Sequence, residues 1–373
     1  MISQAIFDST IRELLKPIAP FLDDESVTEV MINGPSEIFV ERKGQLTRTD
    51  ARFASADTLL SALRVVAQFV GRAFDEAHPI LEARLPDGSR VEALLPPVAP
   101  DGPSVAIRRF SKERLTLEKL LQFGALTEDA AQTLRVLVEC KRNIVVAGGT
   151  GSGKTSMLNA LSAFIPAGER VVVIEDAREL QLQREHVVQL ESRPPDSKGK
   201  GAISIRDLFK ATLRMRPDRI VLGEIRGGEA LDLIQAMTSG HGGCLSTVHA
   251  SYPIDTLNRL ETLALMSGVE LPLFALRAQL ASAVDLVVQT ARLRDGRRMV
   301  THITEVCGSD PQHGYRLKDI FASIPGHPGS DGKAVFQLEP TGVLPDCLPM
   351  ILSHGCDLPQ GVYETARRAR AGN

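Results

Sequence analysis

The chain has 373 residues, which is more than one ordinary core accommodates, so two domains are expected. Hydrophobic residues at 43% and charged residues at 24% are typical of a globular protein, and no apolar run is long enough to span a bilayer. A formal net charge of −3, no Trp and few aromatics argue against a nucleic-acid binder with a basic groove and stacking platforms.

The opening MISQAIFDSTIRELLKP lacks the basic, apolar and small-residue zones of a secretory signal, so a cytoplasmic location is expected. Five cysteines without a C-x-x-C pair oppose both a disulfide framework and a zinc site. Ile11, Leu14, Leu15 and Ile18 recur at helical spacing. Short alternating runs follow, among them EIFVER, VEALL and VAIRRF, separated by turns rich in Gly, Pro and Asp. This reads as a small α+β domain over residues 1–110. A polar linker follows at 111–118, then a helical stretch, LEKLLQFGALTEDAAQTLRVLVEC.

From Asn143 the pattern becomes apolar runs of four to six residues alternating with helical stretches: NIVVAG, VVVIED, RIVLGE and CLSTVHA. That rhythm predicts an α/β domain over 119–373 with a mainly parallel sheet covered on both faces. AVDLVVQT and MVTHITEV read as further strands around the turn Arg294-Asp295-Gly296. The tail beyond Cys307 is rich in Gly and Pro and gives no clear element pattern.

The segment Gly148, Gly149, Thr150, Gly151, Ser152, Gly153, Lys154, Thr155 matches G-x-x-x-x-G-K-[ST] and stands between a predicted strand and a predicted helix that begins KTSMLNALSAF. Such a loop turns backbone N–H groups around phosphates. Lys154 would reach the terminal phosphates, and the Thr155 hydroxyl would serve Mg²⁺ bridging the same oxygens, so ATP and Mg²⁺ are the expected ligands. Ser156 continues the loop into the helix. Glu175-Asp176 and Glu224 end two strands where a phosphate-loop sheet presents its ligands. One carboxylate could hold the Mg²⁺ shell and the other orient water, or they could be ordinary strand-end polar residues. His249 ends a fourth run and could bond the γ-phosphate or be structural. Arg84, Arg90, Arg108, Arg109, Arg206, Arg214, Arg216 and Arg226 are candidate phosphate cations. Arg90 and Arg108 stand out because each lies on a short apolar strand.

Taken in order, VTEVMINGPSEIFVERKGQL, ARLPDGSRVEALLPP, SVAIRRF, GGTGSGKT, VIEDARELQL, ATLRMRPDRIVLGEIRGGEALDLIQAMTSGHGG, STVHA and RLETLALMSGVELPLFALRAQLASAVDLVVQ resemble the ATPases of type II and type IV secretion systems. Within that family they are most similar to the tight-adherence (Tad) pilus branch, CpaF/TadA. The resemblance implies a RecA-like ATPase domain behind a smaller PAS-like α+β domain, in a homohexamer with nucleotide between the two domains. It makes Glu224, in a GEIRG resembling an atypical Walker B element, the residue that positions or deprotonates water. IEDARE resembles the aspartate box, with Glu175 leading and Asp176 supporting, and STVHA resembles the histidine box of His249. Arg90 and Arg108 match first-domain arginines that reach toward phosphate, and Arg214 and Arg216 match a basic pair before the Walker B strand. The implied partners are polytopic inner-membrane platform proteins, with the motor peripheral at the cytoplasmic face of that membrane. Type II members commonly carry a tetracysteine zinc module, which this chain lacks. A motor on nucleic acid, or an ATP-binding assembly switch with little turnover, are the alternatives.

Overall fold

A computed structural model describes residues 4–42, 44–110, 115–182, 184–196, 199–310, 312–328 and 334–371. The chain divides into two compact units. One comprises residues 1–113 with 194–202, the other 114–193 with 203–373.

The first unit contains α1 (Gln4–Leu14), α2 (Ala19–Asp23), β1 (Val27–Asn33), β2 (Glu37–Arg42), β3 (Gln45–Arg48), α3 (Ala56–Phe69), β4 (Ile80–Arg84), β5 (Arg90–Leu94) and β6 (Ser104–Arg108). The strands form one antiparallel sheet in the order β3-β2-β1-β6-β5-β4. Alternation decides which face is buried. Val30 and Ile32, Ile38 and Val40, Val91 and Ala93, and Val105 and Ile107 all point into one core, which Phe7, Ile11, Leu59, Leu63 and Val66 fill from the helices. α3 starts where the Ser55 hydroxyl accepts the backbone N–H of Thr58 at 3.2 Å, and its buried positions repeat at helical spacing. The expected helical pattern around Ile11 and Ile18 is split by turns between α1 and α2.

The second unit contains α4 (Leu117–Gln122), α5 (Glu128–Glu139), β7 (Ile144–Gly148), α6 (Lys154–Ser162), β8 (Val171–Glu175), β9 (Val187–Glu191), α7 (Ile205–Thr212) and β10 (Arg219–Leu222). It continues through α8 (Glu229–Thr238), β11 (Leu245–Val248), α9 (Pro253–Leu265), α10 (Leu273–Ala283), β12 (Leu286–Arg292), β13 (Arg298–Asp310), β14 (Gly314–Pro328), β15 (Ala334–Pro340), α11 (Leu348–Ser353) and α12 (Gln360–Ala371). Its sheet runs β15-β14-β13-β12-β7-β11-β10-β8-β9. From β12 to β9 every pairing is parallel, and β13 to β15 add antiparallel strands at the other edge.

The unbroken apolar runs of the sequence have a direct physical reason. In β7, Ile144 and Val146 enter one core while Val145 and Ala147 enter the other, and β8 divides its valines in the same way. A strand buried on both faces has no polar side to alternate with.

The helical stretch expected from Leu117 to Cys140 is interrupted. Gly124, at φ +65°, turns the chain between α4 and α5, and Thr127 opens the second helix. Helix α4, capped by Thr116, begins inside the expected linker 111–118, of which residues 111–114 lie outside the described residues. The tail that showed no clear pattern contains the long hairpin of β14 with β15, and α12 packs on α5 and β15. None of the described helices is long and apolar enough to cross a membrane.

Candidate functional site

Parallel pairing in register brings the carboxyl ends of β7, β11, β10 and β8 to one edge of the sheet, so the four loops that leave them are neighbours. The loop after β7 passes through Gly151 and Gly153 at φ +69° and +98° before entering α6, a backbone path that residues with a Cβ rarely adopt. Gly148 serves close packing instead. A Cβ there would stand 2.3 Å from Ser152 Oγ and 2.6 Å from the Thr290 carbonyl oxygen. Ser152 Oγ donates to the Gly149 carbonyl at 2.9 Å and lies 2.9 Å from Thr290 Oγ1, which reaches the Ala147 carbonyl at 3.0 Å. The loop is thus tied to β12 through buried hydroxyls. Gly149, Thr150 and Gly151 are exposed, Ser156 half-buried.

Lys154 is buried to 8% exposure, with Nζ donating to the Gly149 carbonyl at 3.0 Å and lying 3.3 Å from both ring nitrogens of His249. His249 Nε2 stands 2.9 Å from Glu224 Oε1. The other Glu224 oxygen accepts from Arg226 Nε and Nη2 at 2.9 and 2.6 Å, and Arg226 Nη1 lies 3.5 Å from Asp176. Lys154, His249, Glu224, Arg226 and Asp176 therefore form one continuous chain of polar contacts across four strand ends. Burial and the Lys154 ammonium hold the His249 imidazole below its ordinary pKa, against the pull of Glu224. A neutral ring with Nε2–H donating to Glu224 and Nδ1 accepting from Lys154 satisfies all three groups.

Glu175 behaves differently from the expectation that it faces the nucleotide crevice. Its side chain is 4% exposed, and Oε1 accepts the backbone N–H groups of Glu179 and Leu180, each at 2.9 Å. Burial pushes its carboxyl pKa up, and the two backbone donors counter this. Glu175 thus shapes the loop after β8, and that loop delivers Glu179 to Thr155, whose Oγ1 lies 3.5 Å from Glu179 Oε2. Sequence reasoning missed Glu179. Its signal is that it stands four residues beyond the buried acid in IEDARE, the span that Glu175 closes into a turn. Thr155, Glu179 and Glu224 present oxygen donors of the kind Mg²⁺ takes.

Gly223, between strand and Glu224, is required by the same acid, because a Cβ there would stand 2.9 Å from Glu175 Cγ. Glu229 was also missed. Its buried carboxylate accepts the N–H groups of Arg226 and Gly227 at 2.6 and 2.7 Å and so fixes the turn that aims Arg226.

The arginines separate by position. Arg214 and Arg216 are exposed on the loop entering β10, at the opposite edge of the sheet from Glu224, so the chain does not bring them to its own phosphate loop. Arg206 pairs with Asp232 at 2.6 Å and with the Ser267 carbonyl at 2.9 Å, and Arg109 donates to the carbonyls of Asp24 and Val27; both are structural. In the first unit Arg84, Arg90 and Arg108 lie directly opposite one another across β4, β5 and β6, with Glu29 of β1 at the end of the row. They project from the face away from the core.

The family model described as "Type II/IV secretion system protein" matches residues 12–315. The conjugal transfer protein TrbB of Rhizobium radiobacter is 35% identical over 290 residues, covering 76% of this chain and 85% of that protein. The type IV secretion system protein PtlH of Bordetella pertussis is 35% identical over 316 residues, covering 78% and 93%. In fold the chain is similar to the Legionella pneumophila ATPase DotB, at a TM-score of 0.56 and 18% identity over 82% of each chain. With a model matching most of the chain, with relatives at this identity, and with the α/β arrangement of a RecA-like ATPase domain, the chain belongs to the type II/IV secretion system family of secretion ATPases.

Proposed function

We propose that the chain hydrolyses ATP with Mg²⁺ at the loop 148–155 and works as the motor of a pilus or secretion machine. The observation that carries this is the convergence of Lys154, Glu224 and His249, from the ends of three adjacent parallel strands, on the place where the loop would hold the terminal phosphates. In this reading the loop N–H groups and the start of α6 bind the phosphates. Mg²⁺, when bound, would supply positive charge beside the phosphate oxygens. Thr155 and Glu179 would hold the metal, directly or through water. Glu224 orients the attacking water and takes its proton, and His249 exchanges Glu224 for the phosphate as Lys154 turns toward it.

The names of the matched relatives, which speak of conjugal transfer and type IV secretion, support a transport machine as the context. The blocks quoted above favour the tight-adherence pilus branch within the family. The row Arg84–Arg90–Arg108, of which Arg108 is exposed and Arg84 and Arg90 are half-buried, would supply cations to a nucleotide at the boundary between copies of a homohexameric ring. Arg214 and Arg216, remote from the chain's own phosphate loop, would act across such a boundary. Polytopic platform proteins would receive the motion at the cytoplasmic face of the inner membrane.

The test is Glu224→Gln. It keeps the side-chain shape and the Oε1 acceptor, so ATP affinity should stay within about twofold while turnover falls by roughly 10²–10⁴, the range for losing a general base. Wild-type turnover in this variant would remove Glu224 from the mechanism. Tight ATP binding by a wild-type protein that shows no turnover at any concentration would favour the assembly switch.

A further inference from the structure

We infer that Arg298, at the start of β13, is a positioning residue for the phosphate loop, holding it open to phosphate from outside the site. Backbone N–H groups that face a bound phosphate leave carbonyls facing outward, and each needs a partner. The Gly149 carbonyl is served by Ser152 and Lys154. The Gly151 carbonyl takes Arg298 Nε–H at 2.8 Å. The stem of the same side chain covers Gly153, with Arg298 Cδ 3.7 Å from where a Cβ would stand. One side chain from a remote strand thus restrains both left-handed glycines of the loop.

Three features of the β12–β13 hairpin make this contact a built one. A register shift between Gln289 and Thr290 bends the hairpin just before its end, as bulges do beside active sites. Beyond the bend Thr290 grips Ser152, and Val300 N–H donates to the Ala125 carbonyl at 2.8 Å, anchoring the second strand. At the tip Arg292 pairs directly with Arg298, and Arg292 Nη1 lies 3.7 Å from where a Cβ of Gly151 would stand. Since the same hairpin leads into β14 and β15, the antiparallel extension is connected mechanically to the nucleotide site.

This inference rests on the nucleotide reading above, and the experiment separates the two. ADP and ATP affinities, kcat and KM, and hydrogen exchange of the loop amides without nucleotide are measured for wild type, Arg298→Ala, Arg298→Lys and Arg297→Ala. Arg297 is on the same hairpin but pairs with Asp295 at 2.7 Å, so it controls for loss of charge alone. Arg298→Ala should weaken nucleotide binding roughly 5- to 30-fold, because a loop released from this restraint must be ordered when phosphate binds. Its kcat should change less than about twofold. Exchange at Gly151 to Lys154 should quicken in the free protein. Arg298→Lys should recover part of the affinity, and Arg297→Ala should match wild type. Unchanged exchange and affinity in Arg298→Ala, or equal losses in Arg297→Ala, overturn the positioning role. A wild type that binds no nucleotide overturns the proposed function, while the exchange measurement still decides the role of Arg298.

Discussion

Replacing Gly223 by Ala tests how the two acidic strand ends depend on each other. The added methyl would stand 2.9 Å from Glu175 Cγ and 3.4 Å from Oε1, and neither side has room to retreat. Gly223 N–H is bonded to the Ile174 carbonyl at 2.8 Å, its own carbonyl accepts Thr247 Oγ1 at 2.7 Å, and Glu175 is fixed by two backbone donors. Overpacking of this kind costs about 1–3 kcal/mol. If Glu175 is displaced, the Glu179 and Leu180 N–H groups lose their acceptor at a further ~1–2 kcal/mol. At about 2–4 °C per kcal/mol for a unit of this size, the melting temperature should fall on the order of 5–15 °C. Turnover should fall with it, because Glu179 loses its turn and Glu224 is the next residue along. Calorimetry and steady-state ATPase assays of Gly223→Ala measure both. The decisive comparison is made in a Glu175→Ala background, where the methyl has nothing to strike. There the same substitution should cost less than about 1 kcal/mol, a coupling that only a direct contact produces. An equal cost in both backgrounds would refute the reasoning.

Glu175→Gln keeps an oxygen that accepts both N–H groups and removes the buried charge. Because burial raises the native pKa of Glu175, the native state holds its proton more tightly than the unfolded chain does. Wild-type stability therefore drops as pH rises from the ordinary carboxylate range through that raised value, and the advantage of the Gln variant should grow over the same interval; urea midpoints from pH 4 to 8 that differ by a constant would contradict this. Arg219→Met should cost about 3–5 kcal/mol in urea unfolding, since the fully buried guanidinium pairs with Glu169 and bonds the Val138 carbonyl at 2.7 Å; a cost under about 1 kcal/mol would mean that apolar packing replaces it. Mixing Arg90→Ala with Lys154→Ala protein should restore part of the ATPase activity if Arg90 serves a neighbour's site, and no recovery at any ratio would count against that role.

The sequence made the sheet and its phosphate loop legible because both follow from local rules. Doubly buried strands read as unbroken apolar runs, and a loop that must take left-handed turns around phosphate shows its glycines. Gly148 and Gly223 were visible as glycines, but their reason was not, since it lies in Thr290 and Glu175, residues whose nearness depends on strand order. The roles of the acids were hidden for the same cause. Glu175 and Glu224 both end apolar strands and look alike in text. In the fold one is closed over by the turn that follows it and the other stays in the crevice with His249. Burial then sorts them chemically. The enclosed acid, its charge disfavoured, is suited to holding backbone, while the accessible one keeps the pairing with His249 and Arg226 that a phosphate could exchange. Glu179, four residues further, gains its place beside Thr155 only because Glu175 gives up its own.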